Sequence, residues 1–442
     1  MQGNFHEIRD PIHVFVRLDS EERKVLDSRP FQRLRHIHQL ALTHLVYPGA
    51  THKRFEHSLG VMELASRVFD VVTKQENVTD PVRKLLKQLG SKDELRYWRR
   101  VLRMAALCHD VGHLPFSHAA EKELLPNDWD HERLTRQIVS SDEMKDIWGS
   151  ITPPLRHEDI EKLAVGPKNA ENLEFTDWEA ILAEIIVGDA FGVDRMDYLL
   201  RDSHHSGVAY GKFDHYRLID TLRILPQSDQ EESSQEPVLG VEEGGIHSAE
   251  ALMLARYFMY TQVYFHPVRR IYDIHLRDFL REWLDGGVLS TDLESHLRMT
   301  DNEVTVALRQ AADSQANAGH FHARRILRRE HFKRLYEWNP EDVKTNPESG
   351  KVVFNALRKK YREDCFRHDS YSQENSELEF PIRMRDNRIV SSLSSSGVLK
   401  TLPVVWVDCV FSDRSIYDDA DKWLMENRHN IIKPEREEAG DG

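Results

Sequence analysis

The sequence predicts a mainly α-helical fold with a smaller mixed α and β region toward its C-terminal end. Two observations predict it. Apolar residues recur at helical spacing through the first half of the chain, and β-branched and aromatic runs gather only late.

Val61, Leu64, Ala65, Val68 and Val72 fall on one helical face, and His57, four residues before Val61, opens that face. Trp98, Val101, Leu102 and Ala105 mark a second helix. His109 continues its inward face, His113 follows one turn later, and Pro115 is expected to end the helix. Trp178, Ile181, Leu182 and Ile185 mark a third inward face, with Asp194 following past Gly188 and Gly192. Residues 5–225 therefore read as mostly helical. The polar, acidic run 226–237 reads as a flexible surface loop, with a short strand pair around Arg223–Leu225 and Val238–Val241 flanking it. Helices resume at Ser248 and run toward Glu282, and Thr300–Leu308 and Ala323–Trp338 read as further helices. Glu377–Met384 and Pro403–Phe411 read as strands, Ser391–Ser396 as a loop, and the tail from Arg436 as frayed. These readings divide the chain into a core over residues 1–285 and a helical and α+β region over 286–442.

The chain has 442 residues, ample for a substantial core and, at about 150 per domain, for up to three domains. A formal net charge of -14 argues against a broad basic surface for nucleic acid, though not against a local basic funnel for a phosphate chain. Three scattered cysteines, Cys108, Cys365 and Cys409, make no disulfide framework and fit a reducing cytoplasm. The N-terminus reads as free of a signal peptide, and no stretch approaches the roughly 20 apolar residues of a membrane span.

Three helices thus direct His57, His109, Asp110 and Asp194 into an apolar interior. Neutral imidazole and carboxylate suit a divalent first-row metal, and a shared ion accounts for the burial of all four. The alternative, that each is a satisfied core histidine or helix cap, needs a separate partner for every buried group. The donor types fit manganese, iron, magnesium or zinc without choosing among them.

The extended blocks around these residues are more specific than the ligands alone. They are Asp27-Ser-Arg-Pro-Phe-Gln-Arg-Leu-Arg-His-Ile-His-Gln-Leu40, Val46-Tyr-Pro-Gly-Ala-Thr-His-Lys-Arg-Phe-Glu-His57, His109-Asp-Val-Gly-His-Leu-Pro-Phe-Ser-His118, Asp130-His-Glu132 and Val193-Asp-Arg-Met-Asp-Tyr-Leu-Leu-Arg-Asp202. In this order, and with Tyr264-Phe-His-Pro267, the chain resembles the HD-domain deoxynucleoside triphosphate triphosphohydrolases, the kind found in SAM-and-HD-domain proteins and their bacterial relatives. The likeness covers roughly residues 5–280.

The resemblance implies a helical HD core. It also implies metal-dependent attack on the α-phosphorus of a deoxynucleoside triphosphate, releasing deoxynucleoside and inorganic triphosphate. One of His118 and His131 would protonate the departing 5′-oxygen, with His113 assisting. Arg54, Arg195 and Arg256 would meet phosphates. Tyr198 would pack under the deoxyribose, Asp202 and Gln39 would grip its 3′-hydroxyl, Tyr264 would close the 2′ side, and Leu40 would touch the base without reading it. Asp27, Gln32 and Arg35 match an activator site for guanine, and Tyr47, Arg217 and His266 match a neighbouring effector site. Such sites lie between subunits, so a homo-oligomer activated by nucleotide is implied. The chain departs from the pattern at His6, Arg9 and Pro267, where the family carries lysine, asparagine and lysine. No SAM domain is expected ahead of residue 5. Two other readings remain beside this one: an HD phosphohydrolase for another nucleotide, and a non-catalytic nucleotide sensor.

Overall fold

The chain begins with an antiparallel hairpin, β1 (His6–Asp10) and β2 (Val14–Leu18), in which Asp10 lies opposite Val14. Asp10 Oδ1 accepts the backbone N–H groups of Ile12 and His13, each at 2.8 Å. This side-chain-to-backbone bonding is what makes aspartate a turn former. The helical periodicity of the first half gives no sign of the hairpin, because β2 buries only alternate residues, Val16 and Leu18. The structure, a computed structural model, describes residues 5–117, 121–126, 128–170, 172–227, 236–372 and 379–433. Most of the expected 226–237 loop and the tail from Arg436 lie outside the described residues.

Helix α1 (Arg54–Val72) is the centre of the first half. Val61, Leu64, Ala65 and Val68 have no exposed surface, as their spacing predicts. It packs against α2 (Lys92–Cys108), whose N-terminus is capped by Ser91, and against the later helix Val193–Ser206. Helix α3 (His131–Val139) starts at the Asp130 cap. A Thr176–Glu179 capping box starts α4 (Asp177–Val187), which buries Trp178, Ile181, Leu182 and Ile185. Helix α5 (Val193–Ser206) ends at Gly207 in the left-handed conformation. Strands β3 (Leu222–Pro226) and β4 (Pro237–Glu242) pair antiparallel, as the flanks of the polar run suggest. Helix α6 (Ile246–Met259) follows.

Two compact units form: residues 1–259, 288–304 and 376–402 make the first, and residues 260–287, 305–375 and 403–442 the second. They do not follow a single cut near residue 285. Strand Pro381–Arg383 pairs parallel with β4, which carries its segment into the first unit. Helix Pro267–Trp283 packs on His320–Leu327 within the second. There a three-stranded sheet has Trp406–Ser412 at its centre, between Lys333–Glu337 and Phe366–Ser372.

Local differences from the sequence reading have physical causes. The helix expected over Ala323–Trp338 stops at Leu327, and Lys333–Glu337 is a strand. Leu335 and Tyr336 gain burial beside Val353, Leu357 and Val410, which outweighs helix propensity. The serine run expected as a loop holds a helical turn, Ser392–Ser395, because Ser391 caps the Leu393 N–H and Ser392 is buried. Among the described residues, no helix is long and apolar enough to cross a membrane.

Gly60 on α1 faces the interior against α5. A Cβ there would lie 1.9 Å from Asp197 Oδ1 and 2.5 Å from Arg201 Nη2. Gly60→Ala is therefore expected to destabilise the protein by roughly 1–3 kcal/mol despite alanine's better helix propensity. Denaturant unfolding would measure this; an unchanged midpoint would contradict the close approach.

Candidate metal centre

Each histidine of the cluster has its tautomer set by the partner behind it. His57 has no exposed surface, and its Nδ1 donates to Asp197 Oδ2 at 2.8 Å. Its Nε2 faces Asp194 Oδ1 at 3.0 Å and Asp110 Oδ2 at 3.7 Å. His109 Nδ1 donates to the Ala106 carbonyl at 2.9 Å. Its buried Nε2 makes no hydrogen bond among the described residues and lies 3.2 Å from Asp110 Oδ1 and 3.5 Å from Asp194 Oδ1. Two imidazole Nε2 atoms and two carboxylates thus converge from three segments. His57, His109 and Asp110 each bring a ligand atom within 4.8 Å of the others. This donor set fits a divalent cation, and the outer-side bonds to Asp197 and Ala106 are those that orient metal-binding histidines. Asp194 is 34 % exposed, so the cluster is open on that side.

Local folding explains the convergence. Helix α2 ends at Cys108, earlier than Pro115 suggests, and His109 caps it. The chain then turns, with Val111 N–H on the Cys108 carbonyl and His113 N–H on the Asp110 carbonyl. His113 therefore lies beyond the helix rather than one turn along it. Gly112 makes room for α3, since a Cβ there would sit 2.2 Å from the His131 carbonyl oxygen. The approach stacks the His113 and His131 rings at 3.9 Å.

The surrounding charges divide the protons. Burial opposes ionisation of Asp110, but Arg54, His109 and His113 outweigh it and hold its carboxyl well below the usual range. Burial likewise opposes a charge on Asp194, and the neighbouring His109 and His57 imidazoles outweigh it. Against its own burial, the Asp194 and Asp197 bonds push His57 up to about 10, a measure of the negative potential that a bound cation would discharge. Burial, then Arg54 and His131, hold His113 well below its ordinary value, so it is neutral. Burial also disfavours charge on His131, but Glu121, whose Oε1 lies 2.5 Å from His131 Nδ1, and Glu132 push it up to about 9. His131 is thus an imidazolium at neutral pH.

The other residues named from sequence are distributed as follows. Arg54 is buried, ion-paired to Asp110 and hydrogen-bonded to Ser117 Oγ at 2.9 Å. Asp202, two turns past Asp194 on α5, is buried and hydrogen-bonded to His52. Tyr198 lies between them on the same helix, half-buried. Leu40 is buried, Gln39 half-buried, and the Gln39 N–H bonds to the His52 carbonyl. Arg195 donates to the Gly188 carbonyl at 3.3 Å, and Arg256 is half-buried on α6. His118 lies outside the described residues. Tyr264 and His266 belong to the second unit. There Tyr264 packs edge-on to Tyr260, and His266 caps the Pro267–Trp283 helix.

In the proposed activator set, Arg35 Nε donates to Gln32 Oε1 at 2.8 Å and lies over the Phe55 ring. Asp27 is exposed and paired with Arg23. Tyr47 is half-buried, and Arg217 is exposed with a bond to the Gly244 carbonyl.

The sequence reading gave no role to Asp197, Arg201, His13, Asp10, His52 or Glu121. An i,i+4 Asp197–Arg201 pair was visible as spacing. The partners from the hairpin and from the segment before α1 had no local signal.

Comparison with known proteins agrees with this arrangement. A model of the HD domain matches residues 54–201, and a model of the HD-associated region matches residues 213–362. The chain belongs to the HD-domain family, with an HD-associated region following the HD domain. A solved structure of a hypothetical protein from Aquifex aeolicus is similar at 32 % identity and a TM-score of 0.75, over 95 % of this chain and 100 % of that one. The uncharacterized protein YwfO of Bacillus subtilis is 34 % identical over 65 % of this chain and 59 % of its own. The deoxynucleoside triphosphate triphosphohydrolase SAMHD1 of Gallus gallus is 29 % identical over 76 % of this chain and 57 % of its own. The chain thus spans less than two thirds of the length of these curated relatives.

Two outcomes are expected. Asp197→Asn should weaken metal binding about 10- to 100-fold, because the carboxylate that orients His57 becomes a neutral amide with one accepting oxygen for three donors; calorimetric titration with manganese checks this, and unchanged affinity would contradict it. The His131 ring should titrate near pH 9 by NMR and shift down toward the ordinary histidine range in Glu121→Gln. With its folded value raised, the pair's stabilisation is complete below the unfolded value of about 6.5 and is lost as pH rises through about 9.

Proposed function

We propose that this protein is a metal-dependent hydrolase that converts deoxynucleoside triphosphates to deoxynucleosides and inorganic triphosphate. The observation that carries the reading is the pairing of a convergent four-donor cluster with a charged imidazole beside it. When bound at His57, His109, Asp110 and Asp194, a divalent ion supplies Lewis-acid polarisation of a phosphoryl oxygen and a lowered pKa for water.

The chain's own residues do the rest. Arg54 keeps Asp110 ionised and brings a guanidinium to the edge of the cluster, where phosphate oxygens would meet it. Arg195 and Arg256 extend the phosphate contacts. His131 holds its Nδ1 proton toward Glu121, leaving Nε2–H as the proton donated to the departing 5′-oxygen. His113, neutral and stacked on His131, fixes that ring's plane. His118 is the alternative donor. Tyr198, Asp202 and Gln39 hold the deoxyribose, and Leu40 gives the base an apolar contact. The SAMHD1 relatives, named as deoxynucleoside triphosphate triphosphohydrolases, support this substrate class.

The decisive experiment incubates the purified protein and manganese with each dNTP and NTP and follows inorganic triphosphate release. His109→Ala and Asp110→Ala should lose metal and at least about a hundredfold in rate. A kcat/KM preference for dATP over ATP of order 10² is expected, and equal turnover would refute the sugar reading.

Activity is further proposed to depend on nucleotide-driven assembly, with Asp27, Gln32 and Arg35 reading a guanine. The Gln32–Arg35 pair and the exposed Asp27 offer an amide, a guanidinium and a carboxylate to a purine edge. Asp27→Ala should abolish activation by dGTP and weaken assembly in sedimentation while leaving metal content intact. A fully active monomer indifferent to dGTP would end this part of the proposal.

A further inference from the structure

His52 belongs neither to the metal cluster nor to the apolar face of α1, yet it is only 3 % exposed. Its two polar ends reach two different residues of the proposed sugar site. Its backbone carbonyl accepts the Gln39 N–H at 3.0 Å. Its imidazole Nε2 lies 2.7 Å from Asp202 Oδ1. An ionised carboxylate accepts only, so the imidazole donates in this pair.

The backbone link is part of a short antiparallel pairing. His38 bridges Lys53, and the Arg54 N–H bonds to the Ile37 carbonyl at 3.0 Å. Residues 37–39 are thereby laid along 52–54 just before α1 begins, and the same ladder that starts the His57 helix sets Gln39. The ring is fixed as well, by stacking on His205 at 4.5 Å with 16° between the planes. Burial first, then the neighbouring His52 and His204, push His205 down to about 4, so the stacked neighbour is uncharged at neutral pH.

Two observations point to a ligand rather than to scaffolding alone. Gln39 Oε1 is buried and takes no hydrogen bond among the described residues, which is costly unless a donor arrives. Asp202 is 1 % exposed and held at one oxygen by a ring that is itself held. A carboxylate fixed in this way is ordered before a hydroxyl binds, so that ordering cost does not oppose binding.

We propose that His52 is the positioning residue for sugar-hydroxyl recognition, setting Gln39 through its carbonyl and Asp202 through its imidazole. This rests on the reading of Gln39 and Asp202 as the grip on the 3′-hydroxyl. The imidazole acts through Asp202 and does not touch the reacting atoms.

The test compares kcat/KM for dATP and for 2′,3′-dideoxyadenosine triphosphate, which lacks only the 3′-hydroxyl. The manganese-loaded full chain is used as wild type, His52→Ala, His52→Gln and His52→Ala with Asp202→Asn. Wild type should prefer dATP. His52→Ala should reduce that preference at least about tenfold, the loss falling on dATP while the dideoxy substrate is turned over nearly as before. His52→Gln retains an N–H donor and should recover part of the preference. Asp202→Asn added to His52→Ala should change it little further. Metal content and Tm, measured on each variant, separate these effects from loss of the fold. A preference unchanged in His52→Ala would overturn the proposal while leaving the sugar site standing. Equal turnover of the two substrates by wild type would overturn the sugar-site reading and this proposal with it. Unfolding of both His52→Ala and His52→Gln would assign His52 to the scaffold alone and overturn it.

Discussion

The buried carboxylate of Asp197 is the constraint on which the rest of the site depends. It has no exposed surface and would be untenable there as an isolated charge. Three partners resolve this: Arg201 Nε at 2.8 Å, His13 Nε2 at 2.7 Å and His57 Nδ1 at 2.8 Å. Burial raises its proton affinity, but Arg201, His13 and His57 outweigh that and keep it ionised. Arg201 passes on to Asp10 Oδ2 at 2.8 Å, and Asp10 also builds the hairpin turn that carries His13. Hairpin, α1 and α5 are therefore tied at one charge. Removing any single partner from such a network costs about 3–5 kcal/mol, because the remaining charge stays buried. The orientation of His57 toward the cluster is set by the same bond, so stability and metal geometry share one interaction.

Helix α5 concentrates this dependence. Asp194, Asp197, Arg201 and Asp202 lie within little more than two turns of it. The 3- and 4-residue steps put a cluster ligand, its outer support and the proposed sugar contact on adjacent stripes of one rigid rod. Such a helix holds relative positions more tightly than loops do. Gly60 lets α1 come close enough for His57 and Asp197 to meet.

Beside the cluster, two stacked histidines stand in opposite charge states. His113 faces Arg54 and Asp110, while His131 faces Glu121 and Glu132. Two imidazoliums at 3.9 Å would repel each other, so charging one suppresses the other. Environments that separate the pKa values of neighbouring titratable groups are how a site divides proton donor from bystander.

Much of this was legible in the chain. The buried faces of α1, α2 and α4 follow from apolar spacing, because a helix that must hide one stripe writes that stripe into its sequence with a 3.6-residue period. The flanking strands β3 and β4 were legible from turn and polar residues. The residues His57, His109, Asp110 and Asp194 stood out because ligand types interrupt apolar faces. What only the tertiary structure decided has no local period. Helix α2 stops at Cys108 rather than running to Pro115, because the chain turns there and α3 packs closely at Gly112. The Lys333–Glu337 segment is a strand because a neighbouring strand and a core receive it. His13, Asp197 and His52 take their roles from partners up to 184 residues away, since a buried hydrogen bond depends on what folding brings together and not on the residues beside it in sequence.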